Sequence, residues 1–338
     1  MDRKYLCRAL GLAVACVLLV GAGMASAAIN IETVAVGDVN NAADTTGYGR
    51  VDYGYNIGKY EVTAGQYTGF LNAVGGVDTY GLYSGGMSDT TSGSGITRSG
   101  GGTVGNPYTY SVAGNFVNRP VNYVSLWDSS RFANWLNNGQ KAGAQDAGTT
   151  EAGAYSLNGV MNPINSSITR NTGAQWAVTS EDEWYKAAYY KGGGANAGYW
   201  MYPTRSDTAP GRDMADASGN NANYYTGSGA YPIDSGKYTT IAGEFQNSGS
   251  PYGTFDQGGN VWEWNEAIIG GSYRGLRGGS FSYSGHNLRA DDRYDNYPSI
   301  GVFNGLGFRV SQVPEPASLG ILGLGVVGML VRRRGAGR

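Results

Sequence analysis

Glycine occupies 57 of the 338 positions, and no other feature limits the possible folds of this chain so strongly. A glycine inside a helix or strand costs roughly 0.5–1 kcal/mol relative to alanine. A chain this rich in it must be largely turn and loop, with short regular elements between. Charged residues make up only 15%, while tyrosine numbers 26 and tryptophan 7. Those side chains bring apolar bulk together with a polar handle that irregular buried backbone can use. The two cysteines, Cys7 and Cys16, fall in a segment expected to be removed on export. The exported domain then has no disulfide, and dense aromatic packing or bound cations must hold its loops.

Both ends carry sorting patterns. Residues 1–27 combine a basic start (Arg3, Lys4, Arg8), an apolar run over Ala9–Val20 and the small residues Ala25-Ser26-Ala27. This is a signal peptide, with cleavage expected between Ala27 and Ala28 by signal peptidase. Residues 313–338 contain Pro314-Glu315-Pro316, an apolar stretch over 317–331, and Arg332-Arg333-Arg334. The stretch suits a short transmembrane helix whose arginines stay cytoplasmic. The ordered triple resembles the PEP-CTERM sorting signal of Gram-negative bacteria. It implies an exosortase-type transpeptidase as partner, transient anchoring through the C-terminal helix, and delivery to the cell surface or extracellular matrix.

Between the ends, residues 28–312 are long enough for one large domain. Acidic side chains outnumber basic ones there, 24 against 17, with no basic cluster, which argues against nucleic acid as a partner. Alternating apolar residues predict a strand over Tyr55–Thr63, after which Thr63 is placed to cap a helix carrying Tyr67, Phe70 and Leu71. Ser125 is placed to cap a second helix with Phe132, Trp135 and Leu136 on its buried face. Thr179 or Ser180 heads a third, with Glu183 completing a capping box. Residues 75–114 are rich in Gly, Ser and Thr, and read as a weakly ordered surface insertion.

The stretches IGKYEVTAGQYTGFLNAV, RPVNYVSLWDSSRFANWLN, WAVTSEDEW and SPYGTFDQGGNVWEWNEAI occur in that order, followed by GLRGGSF, LRADDR and GLGFRV. Together they resemble the formylglycine-generating enzyme family, or sulfatase-modifying factors, over about Tyr55 to Val310. The resemblance implies an α+β fold of C-type-lectin-like character: low regular secondary structure, short helices and a small antiparallel sheet. It also implies a copper-binding cysteine pair between the GGS motif and the arginine-rich strand. Here that interval, Phe281–Leu288, contains no sulfur. A hydroxyl does not replace thiolate as a Cu(I) ligand, so no copper is expected. A related branch uses histidine-bound iron, but His286 is the only histidine. A lone loop histidine is more often solvated than catalytic.

Calcium is the cofactor the residues suit better. In the loop Gly258–Trp264, glycines free backbone carbonyls while Asn260 and Glu263 offer side-chain oxygens, the mixed set hard cations take. The resemblance implies one calcium here, with backbone oxygens around Gly259 and Val261. It implies a second at Asn223, Tyr224, Asp234 and Gly236. The arginines Arg277, Arg289, Arg293 and Arg309 alternate with Asp291, Asp292 and Asp295, and read as buried Arg–Asp braces rather than a ligand rim.

The resulting expectation is an exported, non-catalytic scaffold that binds a ligand, with extracellular polysaccharide as the candidate partner. The alternatives are an oxidoreductase-type enzyme of the same fold built on oxygen ligands or His286, and a purely structural matrix component.

Overall fold

The computed structural model describes residues 28–161, 167–194, 197–227, 232–300 and 303–313. The residues through Ala27 that read as a signal peptide lie outside these, as do Pro314, Glu315, Pro316, Arg332, Arg333, Arg334 and the apolar stretch 317–331. Among the described residues no helix is long and apolar enough to cross a membrane.

Three short helices form where the caps predict them. α1 (Ala64–Val74) starts at a reciprocal capping box between Thr63 and Gln66, α2 (Leu126–Asn137) at one between Ser125 and Asp128, and α3 (Glu181–Tyr189) at one between Ser180 and Glu183. Each box satisfies two backbone donors that a helix N-terminus otherwise leaves orphaned.

Among the described residues, ten strands of three to eight residues and two short 3-10 turns join these helices. β1 (Thr33–Val36), β2 (Tyr55–Gly58), β5 (Trp176–Val178) and β10 (Val310–Gln312) form an antiparallel sheet in the order β1-β2-β10-β5. β6 (Trp262–Ile269), β7 (Tyr273–Arg277), β8 (Tyr294–Asn296) and β9 (Leu306–Phe308) form a second in the order β8-β7-β6-β9, its β6–β9 pair parallel. The fold is α+β, as read from the chain, with one sheet mixed rather than purely antiparallel.

β3 (Ile96–Ser99) and β4 (Thr109–Val112) make an antiparallel hairpin within the stretch 75–114. The expectation of a weakly ordered insertion is corrected here. Leu82, Met87, Ile96 and Tyr110 are buried in the principal core together with α1 and α2. They sit singly among glycines and serines, so neither a 2- nor a 3.6-residue period announces them. From Tyr190 to Val261 no described residue belongs to a helix or strand, only to turns and isolated bridges.

Candidate functional site

The two regions expected to bind calcium separately meet in one place. Asn223 pairs with Gly259 across an isolated parallel bridge, and Asn260 N donates to Asn223 O at 2.8 Å. Gly259 has φ +87°, and a Cβ there would lie 2.2 Å from Asn223 O, so only glycine permits this approach. Asn223 Nδ2 donates to Tyr238 O at 2.8 Å and to Asn260 Oδ1 at 3.2 Å. Thr240 N also donates to Asn260 Oδ1, at 2.9 Å.

Whether these residues suit a cation depends on which oxygens remain free. Glu263 has none: Arg309 Nε and Nη2 reach its two oxygens at 2.6 and 2.7 Å, and Trp184 Nε1 adds a third bond at 2.8 Å. Asn260 Oδ1 is fully engaged, and its buried Nδ2 is a donor without a partner, which repels a cation. Val261 is fully buried. Asp234 gives an oxygen to the Arg119 guanidinium, and Gly236 forms a tight turn at φ +74°. Tyr224 is buried, its hydroxyl donating to Pro210 O at 2.5 Å. Asn223 Oδ1 is different, being buried with no donor. Two more such oxygens belong to Glu61, which is 2% exposed. Sequence reasoning passed over Glu61 as a strand residue. Burial, followed by the charges of Asp256 and Glu263, raises its carboxyl well above the ordinary value. The side-chain oxygens of Asn260 and Glu263 are therefore taken, whereas Asn223 Oδ1 and both Glu61 oxygens, at separate positions, have no hydrogen-bond partner. Among the described residues no three Asp, Glu, His or Cys side chains converge as a ligand set, so any site relies on amide and backbone oxygens as well.

Within the interval Phe281–Leu288, Ser284, Gly285 and His286 line a surface groove. Phe281 is buried, its N–H held by Asn260 O at 3.0 Å, and a turn of 3-10 helix over Gly285–Leu288 buries Leu288. His286 is exposed at the groove, with Nε2 3.7 Å from Asp292 Oδ1. Tyr202, Tyr224, Tyr225, Ser284, His286 and Arg289 line an open cavity of about 610 Å³. Beside this interval, buried Trp262 meets Tyr283 edge-on at 5.3 Å and stacks with Tyr294 at 5.5 Å. Tyr283 and Tyr294 remain 39% and 46% exposed. Among 26 tyrosines nothing in the sequence singled out this pair; the side-chain alternation of strand β6, which turns Trp262 beneath them, was the available signal.

The arginines brace the structure, as expected, but their partners differ. Arg277 and Arg293 both bind Glu181, with Nε–Oε1 distances of 2.8 Å each. Arg309 binds Glu263. Only Arg289 takes an aspartate, Asp291, at an exposed site. The nearest acidic residue in sequence is thus a poor guide to the buried partner.

Comparisons with known proteins agree with this architecture. The model of the sulfatase-modifying factor enzyme 1-like domain matches residues 29–313, and that of the PEP-CTERM protein-sorting motif matches residues 312–334. Among solved structures, Treponema denticola variable protein 1 is 19% identical, covering 86% of this chain and 97% of its own, with a TM-score of 0.51. CarF is 20% identical, with coverage of 85% and 99% and a TM-score of 0.50. PvdO from Pseudomonas aeruginosa is 18% identical, with coverage of 83% and 92% and a TM-score of 0.45. At such identity the first two likenesses speak to fold. No curated protein matches the chain.

Proposed function

The chain belongs to the sulfatase-modifying factor enzyme 1-like family, and from that premise we propose that its exported domain is a non-catalytic scaffold that binds carbohydrate at the cell surface or in the extracellular matrix. Its PEP-CTERM motif marks it as exported, surface-sorted and handled by an exosortase-type system. Anchoring through 317–331 during sorting is part of the proposal.

One observation carries the reading: the half-exposed Tyr283 and Tyr294 flank buried Trp262 beside the interval where the family's cysteine pair is expected and this chain has none. Without a thiolate the copper chemistry has neither its ligand nor its redox group. An aromatic face held rigidly at the surface suits the apolar C–H face of a pyranose, because little rotamer freedom is lost on stacking. The adjoining groove supplies hydroxyls and the Arg289 guanidinium for the sugar's polar rim. Calcium serves in this proposal as a brace for loops, not as a reactant.

The test is a glycan array followed by calorimetry on residues 28–312, with Tyr283→Ala and Tyr294→Ala as controls. Binding that drops at least about tenfold in either variant while the fold melts unchanged supports the reading. Turnover of a cysteine-containing peptide by the purified domain would overturn it in favour of an enzyme with a non-cysteine centre.

A further inference from the structure

Tyr273 opens β7 directly after a tight turn through Gly270 (φ +56°) and Gly271 (φ +79°). The ladder between β7 and β8 pairs Leu276 with Tyr294, Gly275 with Asp295 and Arg274 with Asn296. One step further along, the same register sets Tyr273 opposite Tyr297, and the two side chains meet. Their ring centroids are 4.4 Å apart, with planes inclined by 31°. The Tyr273 hydroxyl donates to the Tyr297 hydroxyl at 2.9 Å.

Cross-strand aromatic pairs commonly stabilise sheets, but this one differs from the other tyrosine pairs of the fold. Among the described residues it is the closest. The next, Tyr185 with Tyr189, has centroids 4.9 Å apart and planes at 63°. The hydroxyls of that buried pair also part company, one going to Asp44 and the other to Leu288 O. Tyr273 and Tyr297 are only partly buried, so solvent and small oxidants reach them.

The geometry matters because of phenol chemistry. A phenol that loses one electron and its proton becomes a radical with spin on the oxygen and on the ortho and para carbons. In tyrosine the para carbon bears the side chain, so coupling goes through the ortho carbons. An ortho–ortho bond leaves the two hydroxyls side by side, the disposition that the hydrogen bond already imposes here. That bond also assists the first oxidation, since Tyr273 O–H still donates to the Tyr297 oxygen once Tyr297 is the radical. Residues 28–312 contain no cysteine, so a disulfide is not open to this domain as a covalent staple outside the cell.

We propose that Tyr273 and Tyr297 form an oxidative cross-linking site, joined as dityrosine when the exported protein meets hydrogen peroxide and a haem peroxidase. The peroxidase takes one electron from each phenol, and each phenol releases its hydroxyl proton to solvent. The two radicals form one carbon–carbon bond between ortho carbons. Each of those carbons then gives up its hydrogen as a proton while its oxygen regains one. The two electrons and two protons removed reduce one peroxide to two waters, so the chain loses two hydrogens. The link spans 24 positions and fastens β8, the edge strand of its sheet, to β7. Closing a loop of that length stabilises a fold by restricting the unfolded chain. Carbohydrate binding is not a premise of this inference.

The test treats the full chain, in mild detergent, with peroxidase and hydrogen peroxide. Tyr273→Phe and Tyr297→Phe are treated in parallel; each keeps a ring in place but cannot form a phenoxyl radical. Wild type should gain blue dityrosine fluorescence while staying monomeric on a denaturing gel. Mass spectrometry should find two hydrogens lost and one linked peptide pair holding both residues. Its Tm should rise by about 5–10 °C on treatment, and either variant should lose the emission, the linked peptide and the rise. The more exposed Tyr283 and Tyr294, with centroids 6.4 Å apart, are an internal control that should stay unlinked. Emission that persists in both variants, or that comes only from covalent dimers or from Tyr283 and Tyr294, overturns the inference. So does a wild-type chain that stays unlinked while free N-acetyltyrosine in the same mixture couples.

Discussion

The interior around α1 and α2 and the interior beneath α3 and β6 are built on different principles. In the first, Tyr67, Phe70, Phe132, Trp135 and Phe308 pack ring against ring, with centroids 5.3–6.1 Å apart, and one buried ion pair, Arg131–Glu151, accompanies them. In the second, the filling is Arg170 with Glu183 and Glu266, Arg277 and Arg293 with Glu181, and Arg309 with Glu263. The reason lies in the backbone. Helices satisfy their own amides, so the side chains between them are free to be apolar. The long stretch from Tyr190 to Val261 and the short strands around it leave carbonyls without ladder partners. Guanidinium groups meet many of them: Arg277 reaches Ala290 O, Arg170 reaches Val178 O, Arg274 reaches Glu266 O and Ile168 O, and Arg309 reaches Gly58 O and Phe255 O. In this region arginine takes over the work of secondary structure, with glutamate present to neutralise it.

The largest test of this contrast is Arg309→Met. It strands Glu263 as a buried charge and leaves its backbone carbonyls without donors, and we expect a loss of about 5 kcal/mol in urea unfolding, or no folded protein. Adding Glu263→Leu should recover only part of that loss. Full recovery would mean that the guanidinium merely pairs charge and does not substitute for secondary structure. Phe132→Ala, in the aromatic interior, should cost about 3–4 kcal/mol through the cavity it opens.

Acidity should then separate the two regions. Burial lifts the Asp128 carboxyl in α2 to about 6, against stabilising bonds from Ser125. A raised carboxyl contributes stability that is present below its ordinary value of 3.8 and lost as pH rises through about 6. Wild type should therefore lose about 2–3 kcal/mol relative to Asp128→Asn between pH 4 and pH 7, measured by paired melts. Glu183 behaves in the opposite sense. Burial opposes its ionisation, but the charge and hydrogen bonds of Arg170 outweigh that and hold it below 4.5. Its contribution is present at neutral pH and lost as the solution is acidified below that value. The smallest effect belongs to the exposed pair Arg289–Asp291, where Arg289→Ala should change stability by no more than about 0.5 kcal/mol. A larger change would mean that surface pairs, too, help carry this region.

Much of the frame was legible in the chain because its signals are local. Thr63, Ser125 and Ser180 head the three helices, each followed three residues later by a side chain that closes a box, and this depends on four residues alone. The strand after Tyr55 was equally plain, although it ends at Gly58 rather than continuing to Thr63. The candidate site was far less legible. Asn223 and Asn260 lie 37 residues apart and touch, and Arg309 finds its glutamate 46 residues away rather than among the aspartates near it. No periodicity records pairings of that range.

The sequence by itself determined the short elements, their caps, the family, the PEP-CTERM sorting motif and the lack of sulfur in the interval Phe281–Leu288. Each of these is a property of residue type or of spacing within a few positions. Only the tertiary structure decided which carboxylates are neutralised and which are left over. Glu263 read as a metal ligand in a loop and Glu61 as a strand residue, yet Glu263 is claimed by Arg309 and Trp184 while the buried Glu61 oxygens meet no side chain. The energy of a buried charge depends on what surrounds it within a few ångströms, and in a chain with so much irregular backbone those neighbours come from distant segments.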